Sequence, residues 1–344
     1  MVGRGAYGLM LHETGGTAIQ MNALGRSILV AAALAAAGAP AIAAEAYPTR
    51  PIRLIVPFPP GGGTDIMGRL VASHLTDKLG VQTVVDNRGG AGGIIGTELA
   101  AKANPDGHTL LIGSVSTISI NPSLYPKLPF DTLKDLSPIS LIASTPSVVV
   151  VPASLTARSV KDLITLAKAK PGQLNFASAG SGTSHHLGGE LFKATAGINI
   201  VHVPYKGTAP AVTDLVGGQV SMMIANMPAV LPMIKAGRLR SLAVTSLTRS
   251  SLMPEMPTVA ESGIPDFEVI VWYGVLAPSA TPKPIIMKLN EHLKQMAGMQ
   301  EVKDRLASQG AEAISSTPDE FARKIRDDMK KWSKIVQTSG ARPD

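Results

Sequence analysis

From Pro48 onward the chain alternates apolar runs with segments of helical period, so strands and helices are predicted in turn. Ile52 to Phe58 reads as a buried strand. Asp65 to Leu79 puts Ile66, Leu70, Leu75 and Leu79 on one side and stops at Gly80, the pattern of a helix. Val81 to Val85 is a second strand, "GGAGGIIGTELAAKA" (Gly89 to Ala103) a glycine-rich loop feeding a helix, and Thr109 to Ile112 a third strand ending in "GSVST". Ile139 to Ser144 and Val148 to Val151 are apolar and β-branched, hence two further strands. Ser159 to Lys170 is a helix with a Ser159/Asp162 capping box, stopped by Pro171-Gly172. Strands at Leu174–Ala177, Asn199–Val203, Val220–Ala225 and Leu239–Thr245 alternate with helices to about Ala196, to Val216 and over Ala229–Lys235. Val269 to Leu276 is a long apolar strand, and helices over 283–297, 300–309 and 318–337 close the chain. Thr317-Pro318-Asp319-Glu320 is a strong start signal for the last of them.

This alternation predicts an α/β protein with strands parallel for the most part. The length, roughly twice a typical domain, predicts two lobes. No internal repeat is visible.

The first 46 residues break the pattern. After Met21, Arg26 supplies a positive end, Ile28 to Ala37 an apolar stretch, and Ala41-Ile42-Ala43 a small-x-small cleavage site. This reads as a secretory signal peptide cut near Ala43 or Ala46, with Met21 as the expected start. The apolar stretch is too short to span a bilayer, and no cysteine follows it to carry a lipid. An exported, soluble mature protein is expected.

The chain carries 32 basic and 25 acidic residues, a formal charge of +7. The basic residues are scattered, apart from Lys324, Arg326, Lys330, Lys331 and Lys334, which share a helix with Asp319, Glu320, Asp327 and Asp328. That mixture reads as a solvated helix face and not as a nucleic-acid surface. The overall positive charge favours anionic ligands.

Four connections from strand to helix are built of small residues: Phe58–Asp65, Asn87–Gly93, Ser178–Ser184 and Tyr205–Ala209. Free N–H groups at a helix start carry partial positive charge, and in α/β sheets ligands settle beyond the carboxyl ends of the strands, where these loops lie. Several such loops together suffice to hold a carboxylate. Enzyme signatures, by contrast, fail one by one. Gly61 to Asp65 lacks the Gly-Lys-Ser/Thr of a nucleotide-binding loop, "GGAGGIIG" lacks a clean G-x-G-x-x-G, and "SAGSG" is no nucleophile elbow because Ala179 stands two before Ser181. His186 and Glu190 lie one helical turn apart without a third metal ligand. Neither a catalytic residue, a metal nor a cofactor is expected.

The series "VPFPPGGGTD", "GGAGGIIGTELAAKANPDGHTLLIG", "FASAGSGTSHHLGGELFKATAG", "VPYKGTAPAVTDLVGGQV", "PTVAESG" and "WYGVLAPSATP" resembles, in order and over essentially the whole chain from Tyr47, the Bug family, the TctC-type receptors of tripartite tricarboxylate transporters. The resemblance implies a type II periplasmic-binding-protein fold, two α/β lobes joined by two hinge crossings and closing over a small carboxylate. Lobe 1 would be 47–145 plus 269–344, lobe 2 would be 146–268, with crossings near Ser144–Ser147 and Phe267–Val269. It implies a periplasmic receptor, monomeric, whose partners are a small organic carboxylate and the membrane permease. Carried over by residue, Phe58, Pro59, Gly61, Gly62, Thr64 and Asp65 line one side of the ligand site, followed by Ser114 and Thr117. Ser181, Gly182, Thr183 and His186 face them, with Tyr205, Lys206, Gly207 and Asn226 nearby. Among these, Asp65 reads equally as a helix-start cap, Tyr205 as core, and Lys206 as plain surface. Asp214 is expected to order its own helix. Pro60 stands where the family often has alanine and removes one N–H donor. Two other readings stay beside this one: a sensor serving a receptor kinase, and a secreted hydrolase using His186 with Ser181 or Asp65.

Overall fold

The computed structural model describes residues 47–250 and 253–343; the signal peptide and the Met21 start lie outside them. Glycines after the first two strands let the chain turn into a helix. β1 (Ile52–Val56) leads to α1 (Gly63–Leu79), which ends on Gly80 in the left-handed conformation, φ 70°. β2 (Thr83–Asn87) leads through Ala91–Gly93 to α2 (Ile94–Ala101), and β3 (Thr109–Ser114) into wide π-helical turns, Val115–Ile120. Short helices α3 (Asn121–Leu124) and α4 (Thr132–Asp135) precede the longest strand, β4 (Leu136–Pro152).

α5 (Val160–Ala169) begins at Ser159, whose hydroxyl accepts from the Asp162 amide. Then come β5 (Asn175–Ser178), α6 (Ser184–Ala196), β6 (Val201–Pro204), α7 (Thr208–Val216), β7 (Met222–Asn226), α8 (Met227–Lys235) and β8 (Leu239–Val244). β9 (Ile270–Pro278), α9 (Lys283–Gly298), α10 (Gln300–Ser308), β10 (Glu312–Ala313) and α11 (Pro318–Ser339) complete the chain. The Thr317/Glu320 capping box opens α11.

The two apolar runs expected as separate strands before Pro152 are one strand, β4, and it changes partners along its length. Leu136 to Pro146 pair with β9, while Ser147 to Pro152 pair with β7 and β8. A first sheet, β2-β1-β3-β9, thus continues through β4 into a second, β7-β5-β6. At the change-over the Thr245 hydroxyl lies 2.9 Å from the Ser147 carbonyl and 2.6 Å from that of Val269. Successive β4 valines face opposite sides: Val149 and Val151 join the larger core, Val148 and Val150 a smaller one with Leu215 and Met223.

The expectation of mostly parallel strands is corrected. β1 with β2 and β3, and β5 with β6 and β7, are parallel, but every described pairing of β4 and β9 is antiparallel. β9 returns antiparallel between β3 and β4, and β4 runs on from the first sheet into the second.

The C-terminal helix returns to the first sheet. Trp272 of β9 meets Phe321 of α11 edge to face at 5.2 Å and donates its indole N–H to Asp328 at 2.5 Å. On the mixed-charge helix α11, Lys324 pairs with Asp328 at 3.0 Å, and Lys331 with Glu268, which precedes β9. Among the described residues no helix is long and apolar enough to cross a membrane.

Candidate functional site

The loops at the carboxyl ends of the strands in both sheets face one another and enclose two adjoining spaces. The inner one is a cavity lined by Phe58, Pro59, Gly62, Gly63, Thr64, Ser114, Ser116, Ala179, Thr183, Ser184, His185, Thr208, Asn226, Val271 and Tyr273. Only about 20 Å³ of it is open to the centre of a water molecule. Not one of its lining side chains is a carboxylate, lysine or arginine.

Its polarity comes from helix starts. α1 opens after Gly62, α6 after Thr183 and α7 after Gly207, and the first residues of all three stand in the wall. The first N–H groups of a helix have no partner inside it, and each end favours an anion by about 0.3–1 kcal/mol, more when desolvated. Added hydrogen bonds to a charged group contribute about 1.5–3 kcal/mol each. The Thr183 hydroxyl accepts from the His186 amide and donates to the Gly180 carbonyl, fixing the α6 turn. Across the cleft the Ser184 amide donates to the Ser116 hydroxyl at 2.9 Å.

The back of the cavity is a chain of buried polar groups from three elements. His185 Nε2 lies 2.9 Å from Asn226 Oδ1, and Asn226 Nδ2 donates to the Tyr273 hydroxyl at 2.5 Å. With Asn226 accepting, the proton of the His185 imidazole sits on Nε2 and Nδ1 is bare; that buried atom has no partner. Burial pushes the His185 pKa down to about 4, against the opposing hydrogen bond to Asn226, so the ring is neutral at pH 7. Desolvation likewise drives the Tyr273 phenol upward and keeps it protonated.

Gly63 explains part of the glycine run. A Cβ there would lie 2.3 Å from both Asn226 Nδ2 and the Tyr273 oxygen, so only glycine lets α1 start against that chain. Gly92, at φ 61°, plays the same part in the second loop, where a Cβ would lie 2.3 Å from the Ser181 carbonyl. What these backbones approach is the opposing loop.

The outer space is a chamber of about 680 Å³, measured in the same way, and shares Phe58, Pro59 and Ala179 with the inner cavity. Pro60, Gly89 to Gly93, Tyr125, Ser181, Pro204, Tyr205, Lys206 and Gly207 belong to its wall. Tyr125 donates its hydroxyl to the Ser181 carbonyl at 3.0 Å, and Tyr205 donates its own to Asp214 at 2.7 Å. Desolvation and then the Asp214 carboxylate push the Tyr205 pKa up to about 12. Asp214 therefore ties α7 to the Tyr205 loop.

The residues singled out in the sequence divide accordingly. Phe58, Pro59, Gly62, Thr64, Ser114, Thr183 and Asn226 line the inner cavity; Ser181, Tyr205, Lys206 and Gly207 line the chamber. Gly61, Asp65, Thr117, Gly182 and His186 belong to neither wall and hold the loops from behind. The Asp65 carboxylate accepts from the Gly61 amide (3.1 Å), Arg69 (3.0 Å) and Asn87 (3.0 Å). Burial alone would raise its pKa, but these bonds and the Arg69 charge outweigh burial and lower it. The Ser114 amide donates to the Thr117 hydroxyl, and the Gly182 amide to His186 Nδ1, whose ring stacks on His202 with centroids 4.1 Å apart. Sequence reasoning passed over Ser116, His185, Thr208 and Tyr273. Thr208 was recoverable as the first residue of a predicted helix, and Ser116 from the "GSVST" stretch; Tyr273 has only the look of a strand core. Among the described residues no group of three or more His, Asp or Glu is placed to hold a metal ion.

Known proteins resemble this chain in sequence and in fold. The chain is 44% identical over 302 residues to protein BugT of Bordetella pertussis, covering 88% of this chain and 93% of that one. It superposes on R. palustris Rpa4515 with adipate at a TM-score of 0.85 and 37% identity, covering 87% of this chain and all of that one. MatC from Rhodopseudomonas palustris with bound malate gives 0.81 at 30% identity, with 84% and 100% covered. Residues 67–341 match the TctC model, the tripartite tricarboxylate transporter family receptor. With two sheets facing each other across a shared cleft and relatives alike over most of their length, the chain belongs to the TctC family of tripartite tricarboxylate transporter receptors.

Proposed function

We propose that this protein is an exported periplasmic receptor that closes two lobes over a small organic carboxylate and presents it, as a monomer, to a membrane permease, without a chemical step. One observation carries the reading: three helix starts from both sheets converge on a cavity without a charged side chain. Such a wall attracts an anion without itself carrying a charge. The relatives bound to adipate and malate support the same ligand chemistry.

The lobes are 47–145 with 269–344, and 146–268, which meet where β4 changes partners and where Val269 approaches Ser147. Phe58, Pro59, Gly62, Thr64, Ser114, Thr183 and Asn226 surround the carboxylate. Ser181, Tyr205, Lys206 and Gly207 lie farther out, and Gly61, Asp65, Thr117, Gly182 and His186 shape the loops. Ligand contacts on both lobes at once favour the closed form, since only differential affinity shifts such an equilibrium. Export follows from the signal peptide read in the first 46 residues.

Thermal melting with a panel of mono-, di- and tricarboxylates tests this. A ligand at a hundred times its Kd should add about 2.7 kcal/mol of stability and raise the melting temperature. A panel that leaves the melt unmoved at millimolar concentration overturns the reading.

A further inference from the structure

The inner cavity and the outer chamber differ in kind, and that difference restricts the ligand. The inner space is about 20 Å³ and the chamber about 680 Å³. About 10–15 Å³ of such space holds one water. The inner cavity is thus fitted to a group the size of a carboxylate, and the remainder of a bound acid must pass Phe58, Pro59 and Ala179, which both spaces share, into the chamber.

The chamber offers that remainder mainly hydrocarbon. Pro59, Pro60, Ala179 and Pro204 supply apolar wall. Its polar side chains are largely spent inside the protein: Asn87 donates to the Phe58 carbonyl and to Asp65, Tyr125 to the Ser181 carbonyl, and Tyr205 to Asp214. Lys206, exposed at the rim, is the one charged side chain lining it. Beyond Lys206 and the backbone of the Gly89–Gly93 and Gly180 turns, a second and third carboxylate, or a row of hydroxyls, would find few partners there to replace the water they lose.

We infer that the chamber is a subsite for an apolar alkyl or aryl body, and that this receptor takes carboxylic acids with such a body in preference to compact polyanions and polyhydroxy acids. The inference rests on the carboxylate-receptor reading above and narrows it.

Calorimetric titration of the mature chain with the straight-chain acids from propionate to octanoate tests it, with gluconate as the six-carbon polyhydroxy counterpart of hexanoate. Transfer of each methylene from water into the chamber should lower Kd about threefold to fourfold until the chamber is filled. Hexanoate should then bind at least tenfold tighter than both propionate and gluconate. A crystal structure of the hexanoate complex should place the tail between Pro59 and Tyr125. Equal affinities for propionate, hexanoate and gluconate, or a tail lying outside the chamber, overturn the subsite and leave the carboxylate receptor standing. Failure of every acid, propionate included, overturns both.

Discussion

Ser116 and Ser184 are joined across the cleft by a 2.9 Å hydrogen bond in which the amide opening α6 donates to a hydroxyl just after β3. One free helix-start N–H is thereby satisfied from the opposite sheet, and the two halves of the site are tied at the depth of the cavity. Replacing Ser116 by alanine removes the acceptor. A typical net loss of about 0.5–1.5 kcal/mol predicts carboxylate binding weaker by roughly twofold to tenfold, read by calorimetry. Unchanged affinity would show that the bond does not contribute to closure.

Gly63→Ala drives a methyl group into Asn226 and Tyr273, each 2.3 Å from the added carbon. Overpacking of this kind costs about 1–3 kcal/mol, because α1 must shift or the buried chain must break. Denaturant melts should show that loss together with weaker carboxylate binding. Gly298→Ala, where a Cβ meets nothing within 4 Å, serves as the control and should leave both nearly untouched.

His185 makes stability depend on pH. Its folded pKa, about 4, lies below the unfolded value of about 6.5. Between those values the unfolded chain binds a proton that the folded protein refuses, so stability falls as pH drops through the window. The single group is expected to remove roughly 2–4 kcal/mol from pH 7 to pH 4. Urea midpoints measured across that range should flatten in His185→Gln relative to the parent; parallel curves would contradict the assignment.

Asp65 accepts three hydrogen bonds while nearly buried, and its loss removes the acceptor of the Gly61 amide and one of the two that Asn87 serves. Asp65→Ala should cost about 1–3 kcal/mol by chemical denaturation, since it removes the acceptor of two amide donors and one ion pair. Arg69→Ala, which removes only the half-exposed partner of the same ion pair, should cost no more than about 1 kcal/mol. A larger effect at Arg69 than at Asp65 would invert this account of the loop.

The sequence alone determined most of the order of strands and helices from Ile52 to α11, without α3, α4 and β10, and the loops from which ligand recognition comes, because strand period, capping residues and glycine turns act over a few neighbouring positions. It placed Gly62 and Thr64 at a helix start and Asn226 at a strand end, where the cavity uses them. Tertiary structure alone decided that two apolar runs are one strand serving both sheets, and that β4 and β9 run antiparallel to their neighbours. It also decided which residues meet. His185 and Asn226 are 41 positions apart, Asn226 and Tyr273 are 47, and no local signal says that the three meet. Their contact follows from sheet register and from the packing of α6 against β7, and such long-range pairings are selected by the buried surface of the whole fold, not by the residues beside them in the chain.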